Sequence, residues 1–308
     1  MTLRAWLALM VALGLAAWVV AAVRRRSAAH ESGRRFFRHP TAAWGLGVLA
    51  FFVIVAVAAP LVTPYNPCIQ LDIVGLKNQA PSWSHPLGTD LYSRDVWCRM
   101  AFGARVSLTV GALGMLVAVT IGATVGAVAG YYRQWVDAVL MRGVDVGLAL
   151  PRLFVLLLAV ALWEHLSLAV LVLVMGLTSW FGTSRLVRAE VLSLRERDFV
   201  AAARALGAGP ARIIFRHVLP NAAAPIIVSA ALGIGNVLLL EASLSFLGIG
   251  VPPPAPSWGN MIADGAPNLA TAPWTTLFPG LAIALVVMAL NAVGDALREA
   301  LDPRQEAT

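Results

Sequence analysis

Residues 106–130 are twenty-five consecutive positions with no ionisable side chain. As a helix rising ~1.5 Å per residue this run covers ~37 Å, enough for a tilted crossing of a ~30 Å hydrocarbon core. Comparable apolar runs recur along the chain, and composition agrees. Hydrophobic residues make up 59% and charged residues 13% of the 308, with a mean hydropathy of +0.78. Soluble domains carry roughly 25% charged residues, and a water-soluble fold this apolar has too little polar surface to cover itself. An ordinary cytosolic enzyme, a disordered chain and a secreted disulfide scaffold are excluded. The fold class is an all-α integral membrane protein, a polytopic helical bundle.

Seven spans are predicted: 5–23, 42–62, 106–130, 138–163, 168–183, 222–247 and 275–297. The first is read as a retained helix, because its heavy positive charge, Arg24–Arg26, follows the apolar run, whereas a signal peptide places charge before it. The net charge is +7. Its arginines concentrate at 24–39, 131–137, 184–218 and the C-terminus, while 164–167 and 248–273 have no Lys or Arg. The positive-inside rule then puts the N-terminus outside and the C-terminus in the cytoplasm. The external loop 63–104 holds Lys77, Arg94 and Arg99 beside Asp72, Asp90 and Asp95, and is the weak point of that assignment. Basic residues dispersed between spans do not make a nucleic-acid surface. Lys77, the one lysine, sits in Gly-Leu-Lys-Asn, so no Walker A loop is present.

Intramembrane charges are functional candidates by default. Asp145 has Arg142 three residues before it, on the same helix face, and is read as an ion pair near the cytoplasmic end. Glu241 lies in an apolar stretch near Asn236, either lining a pathway or meeting a partner subunit. Asp295 and Arg298 are read as an anchoring pair. Gly122, Gly126 and Gly130 share one face and suit close helix approach. Trp258 and Trp274 sit where aromatic residues anchor at an interface. Cys68 and Cys98 share the external loop, where a disulfide is permitted. His30, His39, His85, His165 and His217 form no metal-ligand spacing, and no catalytic constellation is read.

Residues 185–217 are far longer than a connection requires. Residues 198–206 are rich in helix formers, with Asp198 as predicted N-cap, and Gly207 and Gly209-Pro210 as stops. A second short helix is predicted at 211–217, closed by Pro220. On physics alone the first helix either docks into a partner or lies on lipid headgroups.

Ala202-Ala203, Gly207 and His217-Val-Leu-Pro220 resemble the EAA loop of ABC importer permeases. His85-Pro-Leu-Gly-Thr-Asp90, Arg94-Asp95, Gly103-Ala-Arg-Val-Ser-Leu108, Leu150-Pro151, Ser245-Phe-Leu-Gly248, Pro256-Ser-Trp-Gly259 and Phe278-Pro-Gly280 are similar to the dipeptide/oligopeptide/nickel branch, in the order of its C-type subunit. The resemblance covers about 40–304. It implies a six-span permease core at 41–304 behind an extra N-terminal span and basic linker at 1–40, with a tail at 305–308. It implies coupling to ATPases through Arg197, Asp198, Phe199, Ala201, Ala202, Ala203, Arg204, Gly207, His217 and Pro220; Asp145, Asn236 and Glu241, by their place in the apolar spans, are the pathway candidates.

The implied partners are a homologous B-type permease, two ABC ATPase subunits, an extracytoplasmic substrate-binding protein and the lipid bilayer. ATP and Mg are bound by the ATPases, with no cofactor or catalysis in this chain. The implied location is the bacterial plasma membrane, and the cargo is peptide, with nickel or another small solute as the alternative. The external loop 248–273 either receives the binding protein or caps the bundle. Ala201 stands where the family usually has Glu, and Ser93 where Gly is frequent. Gly207 is expected at a docking turn with no room for a side chain. An ion-driven secondary transporter would need inverted repeats, which are not found, and would leave 198–217 unexplained.

Overall fold

The computed structural model describes residues 2–27, 31–63, 65–72, 74–161 and 167–301. The expected external turn at 164–166 (with His165), the tail from 302, and His30 lie outside the described residues. Helices α1 (Thr2–Ser27), α2 (Glu31–Arg38) and α3 (Ala42–Val62) come first. A long connecting segment leads to α4 (Val96–Tyr132), followed by α5 (Gln134–Ala149), α6 (Arg152–Ala161), α7 (Leu168–Leu177) and α8 (Trp180–Leu194). The segment after α8 carries α9 (Asp198–Ala205), α10 (Pro210–Ile213), a π turn (Ile214–Val218) and α11 (Leu219–Asn221). Helices α12 (Ala223–Phe246), α13 (Trp258–Gly265) and α14 (Trp274–Ala300) complete the bundle. Among the described residues there is no β-strand beyond an isolated Thr89–Asp95 bridge.

Among the described residues helices α3, α4, α12 and α14 are each long and apolar enough to cross a membrane, and α7 and α8, bent by 43° at their junction, are long and apolar enough only when taken together. Two predicted spans differ. The run 138–163 is not one helix: α5 stops at Ala149 and Leu150 is extended before Pro151, because the proline ring disfavours helical backbone at the preceding residue. The run 168–183 breaks after Leu177 and resumes as α8, which carries on to Leu194. Helix α4 has 37 residues rather than the predicted 25, about 55 Å long. It begins early because the Asp95 carboxylate accepts the Cys98 N–H at 2.8 Å, an N-cap.

Helix α4 is the axis of the bundle, with α3, α7, α8 and α12 packed on it. The glycine face is real packing: a Cβ on Gly122, Gly126 or Gly130 would meet α8 backbone or side-chain atoms at 2.3–2.9 Å. One core joins α3, α4, α12, α13 and α14 around Phe52, Leu238, Val286 and Trp258. A second joins α4, α6, α7 and α12 around Val110, Leu156, Met175 and Leu244. A third lies at the end of the bundle that carries α9, where Val187 and Val191 of α8 meet Val200, Ala203, Ile213, Ile214 and Val218. Helix α1 packs on α3, burying Ala12 with Val55 and Ala59. The expected interface role of Trp258 is not what forms. Its ring is fully buried, with Nε1 donating to the Met100 carbonyl at 3.2 Å. Residues 258–265 fold back as a helix, which brings the ring against α4.

Candidate translocation cavity and coupling segment

A cavity of about 920 Å³ opens among α4, α8, α12 and the end of α14. Met115, Thr183, Val228 and Asn236 form part of its wall. Arg152, Glu190, Arg197 and Arg298 bring charge to it. Of the three pathway candidates, Asn236 lines this cavity and the other two do not.

Glu241 is fully buried and bound elsewhere. It accepts from Ser107 Oγ at 3.1 Å and Ser245 Oγ at 2.7 Å. Ser107 in turn accepts the Trp258 N–H at 3.2 Å and Ser245 accepts the Val251 N–H at 3.1 Å. A carboxyl group in apolar surroundings must collect donors, and here it ties α4, α12 and the start of α13 together. Asp145 is an outer-face residue paired with Arg185 of α8, not with Arg142. The i, i+3 spacing permitted the local pair, but α8 lies close enough to supply the partner. Arg298 faces the cavity and makes no ion pair with Asp295 among the described residues. The two cysteines are free. Cys98 Sγ donates to the Tyr65 carbonyl at 2.9 Å and Cys68 Sγ to that of Pro254 at 3.4 Å.

The candidate coupling segment is a small folded unit. Asp198 is the first residue of α9 rather than its cap, and Arg197 occupies the cap position without a side-chain bond. The helix closes with a Schellman arrangement: Ala208 N–H donates to Ala203 O and Gly207 N–H to Arg204 O, both at 3.0 Å. Gly207 has φ +80, and nothing lies within 4 Å of a Cβ placed there. The expected lack of room is therefore wrong; the left-handed backbone is what calls for glycine. Pro220 does not close a helix either. The π turn, in which Leu219 N–H reaches Ile214 O, absorbs the missing proline N–H, and helix continues to Asn221.

One face of α9 is seated and the other is open. Val200 and Ala203 are buried in the third core. Phe199, Ala201, Ala202, Arg204 and Leu206 are exposed, Leu206 at 88%. His217 is half-buried in the π turn, its carbonyl accepting from Asn221 Nδ2 at 2.6 Å. Arg195 Nη1 donates to the Tyr131 carbonyl at 2.7 Å, and Arg188 pairs with Asp137 of α5. These contacts join α9 to α8, and α8 to α5 and the end of α4.

At the opposite end of the bundle, the segment before α4 is a latched cap. His85 Nδ1 lies 2.7 Å from Asp95 Oδ2, both side chains buried. Arg94 bonds Asp90 at 2.6 Å and Asp264 of α13 at 2.8 Å, and Arg99 meets Asp264 at 3.1 Å. Trp274 Nε1 donates to the Thr89 carbonyl at 3.1 Å. Burial is the largest influence on Asp95 and holds its carboxyl above the ordinary value, against the lowering effect of the Cys98 N–H and His85. Sequence reasoning saw these residues as a motif and missed the latch. It also missed Arg152, whose signal was an arginine inside an apolar run.

This arrangement is that of a multi-pass transport permease. The family model of binding-protein-dependent transport system inner membrane components matches residues 122–307, and that of the N-terminal transmembrane domain of oligopeptide transport permease C matches 27–81. The chain belongs to the family of binding-protein-dependent transport inner-membrane components. It is 44% identical over 279 residues to a protein of Brucella suis biovar 1 named as a peptide permease, covering 90% of this chain and 91% of that one. It is 42% identical over 282 residues to the dipeptide transport system permease protein DppC of Alkalihalophilus pseudofirmus, covering 90% of each. In fold it is similar to a chain of the MetNI methionine ABC transporter in an inward-facing conformation. The TM-score is 0.52 at 15% identity, over 65% of this chain and 96% of that one.

Proposed function

We propose that this chain is the C-type permease subunit of an ATP-driven peptide importer in the bacterial plasma membrane, with its C-terminus in the cytoplasm. A B-type permease completes the pathway, two ABC ATPases bind ATP and Mg, and an extracytoplasmic binding protein delivers cargo to the latched external cap. The relatives named as peptide and dipeptide permeases support the cargo class. The observation that carries the coupling reading is α9. Its inner face is fixed on the bundle by Val200 and Ala203, and its outer face presents Phe199 and Leu206 among Arg204, Arg212 and Arg216. Exposed apolar residues on a fixed helix mark a protein interaction site. Closure of the ATPases would push on α9. Because α9 is tied to α8, and α8 is packed without gap on the α4 glycines, the push reopens the cavity toward the other side. This is a two-state element biased by nucleotide and cargo.

Purification through a C-terminal tag under gentle detergent, followed by reconstitution, tests this. The expected outcome is co-purification of a second permease and ATPase subunits, and uptake of labelled tri-alanine that needs ATP and an added binding protein. Transport by the chain alone, driven by an ion gradient, contradicts it.

A further inference from the structure

Arg152 begins α6 directly after Pro151, and its side chain lines the cavity. Its Nη2 donates to Ser179 Oγ in the break between α7 and α8. Its Nε is buried without a hydrogen-bond partner. No carboxylate among the described residues forms an ion pair with it. A guanidinium in these surroundings is costly unless it is paired, so a position that keeps one there has use for a counter-charge from outside the chain. The other ionisable groups on the cavity wall are Arg197, Arg298 and Glu190. None of these is ion-paired among the described residues, which leaves three cations facing one anion. Asn236, Ser179 and Ser229 add neutral polar groups.

We propose that the cavity is a binding site for solutes bearing a free carboxylate, with Arg152 as the group that receives it. The proposal rests on the peptide-importer reading, in which the carboxylate is the C-terminus of the peptide. Guanidinium and carboxylate match in geometry as well as charge. The same lining repels a divalent metal ion, so it argues against nickel as cargo. The two arginines placed with Leu301 and Asn221 toward the cytoplasmic end extend the positive field along the exit.

The full-length chain with its co-purifying subunits, in nanodiscs without binding protein, is probed by saturation-transfer difference NMR with tri-alanine and with tri-alanine C-terminal amide. The acid is expected to bind and the amide to bind at least about tenfold more weakly, the loss of one charge-assisted contact. Arg152→Gln is expected to reduce the acid to the level of the amide, and Arg152→Lys to restore most of the difference. Excess propionate is expected to displace tri-alanine from the unmodified protein, and excess tetramethylammonium is not. This arm needs no variant, so a poorly folded Arg152→Gln leaves the proposal open to refutation. Equal binding of acid and amide, no detectable binding of either, or no displacement by propionate overturns it. If acid preference holds while ATP-driven uptake of tri-alanine is absent, the peptide-importer reading fails and the carboxylate site stands.

Discussion

Gly126→Ala adds one methyl group at the tightest point of the α4–α8 contact. The new Cβ would lie 2.3 Å from the Ser184 carbonyl oxygen, 3.0 Å from Arg188 N and 3.0 Å from Val187 Cβ. Ordinary non-bonded separations are ~3.5 Å, so the first contact is roughly 1 Å too short. Two of the three neighbours are backbone, which cannot rotate away. The helices must part, and overpacking of this kind costs ~1–3 kcal/mol, with the upper end expected here. For a chain of this size the melting temperature falls by about 5–10 °C on that cost. Gly122→Ala, with its nearest atoms at 2.8 Å, is expected to lose less. Gly143→Ala is the control: nothing lies within 4 Å, and alanine in a helix interior is favoured over glycine by ~1 kcal/mol. The assay is size-exclusion chromatography after heating, on purified protein in one detergent. If Gly126→Ala melts like the parent, or Gly143→Ala falls as far, the close packing of α4 on α8 is wrong.

Three further outcomes are expected. Gly207→Ala, which places a Cβ at φ +80, should cost ~1 kcal/mol of local stability and lower transport while leaving insertion intact; Gly207→Asn should be milder, and hydrogen exchange at Ala208 reads the difference. Asp264→Asn removes the shared partner of Arg94 and Arg99. The buried Arg99 makes this worth ~1–3 kcal/mol, discounted because Asp264 is one-third exposed and Asp90 still faces Arg99 at 3.7 Å; faster limited proteolysis of residues 65–95 is the readout. A raised Asp95 pKa means that the protonated form favours the fold: its contribution is full below the ordinary value of 3.8 and is lost as pH rises through the raised value. Asp95→Asn should therefore flatten the pH dependence of melting just above pH 3.8, since asparagine still caps α4; an unchanged slope refutes the assignment.

The spans at α3, α12 and α14, the glycine face of α4 and the existence of α9 are legible because each depends on local sequence: apolar length, four-residue spacing, helix formers ending in glycine. What was not legible depends on distant partners. Asp145 pairs with Arg185, forty residues on, and helical spacing favoured Arg142 only while the position of α8 was unknown. Glu241 looked like a pathway acid until Ser107 and Ser245 were found around it. Trp258 reads as an interfacial ring until its loop folds inward. Pro151 was in plain view, yet apolar composition on both sides hid the break it makes between α5 and α6. The two breaks bring Arg152 and Ser179 to the cavity wall, a placement that apolar composition alone does not signal.

The central claim is that the outer face of α9 rests on an ATPase. A cysteine introduced at Leu206 in a chain lacking Cys68 and Cys98 tests it in the reconstituted complex. The account predicts a rapid cross-link from residue 206 to an ATPase subunit, with a yield that changes on ATP binding, and none from a cysteine at the buried Val200. A complex that transports normally while residue 206 cross-links only to lipid, or to nothing, contradicts it.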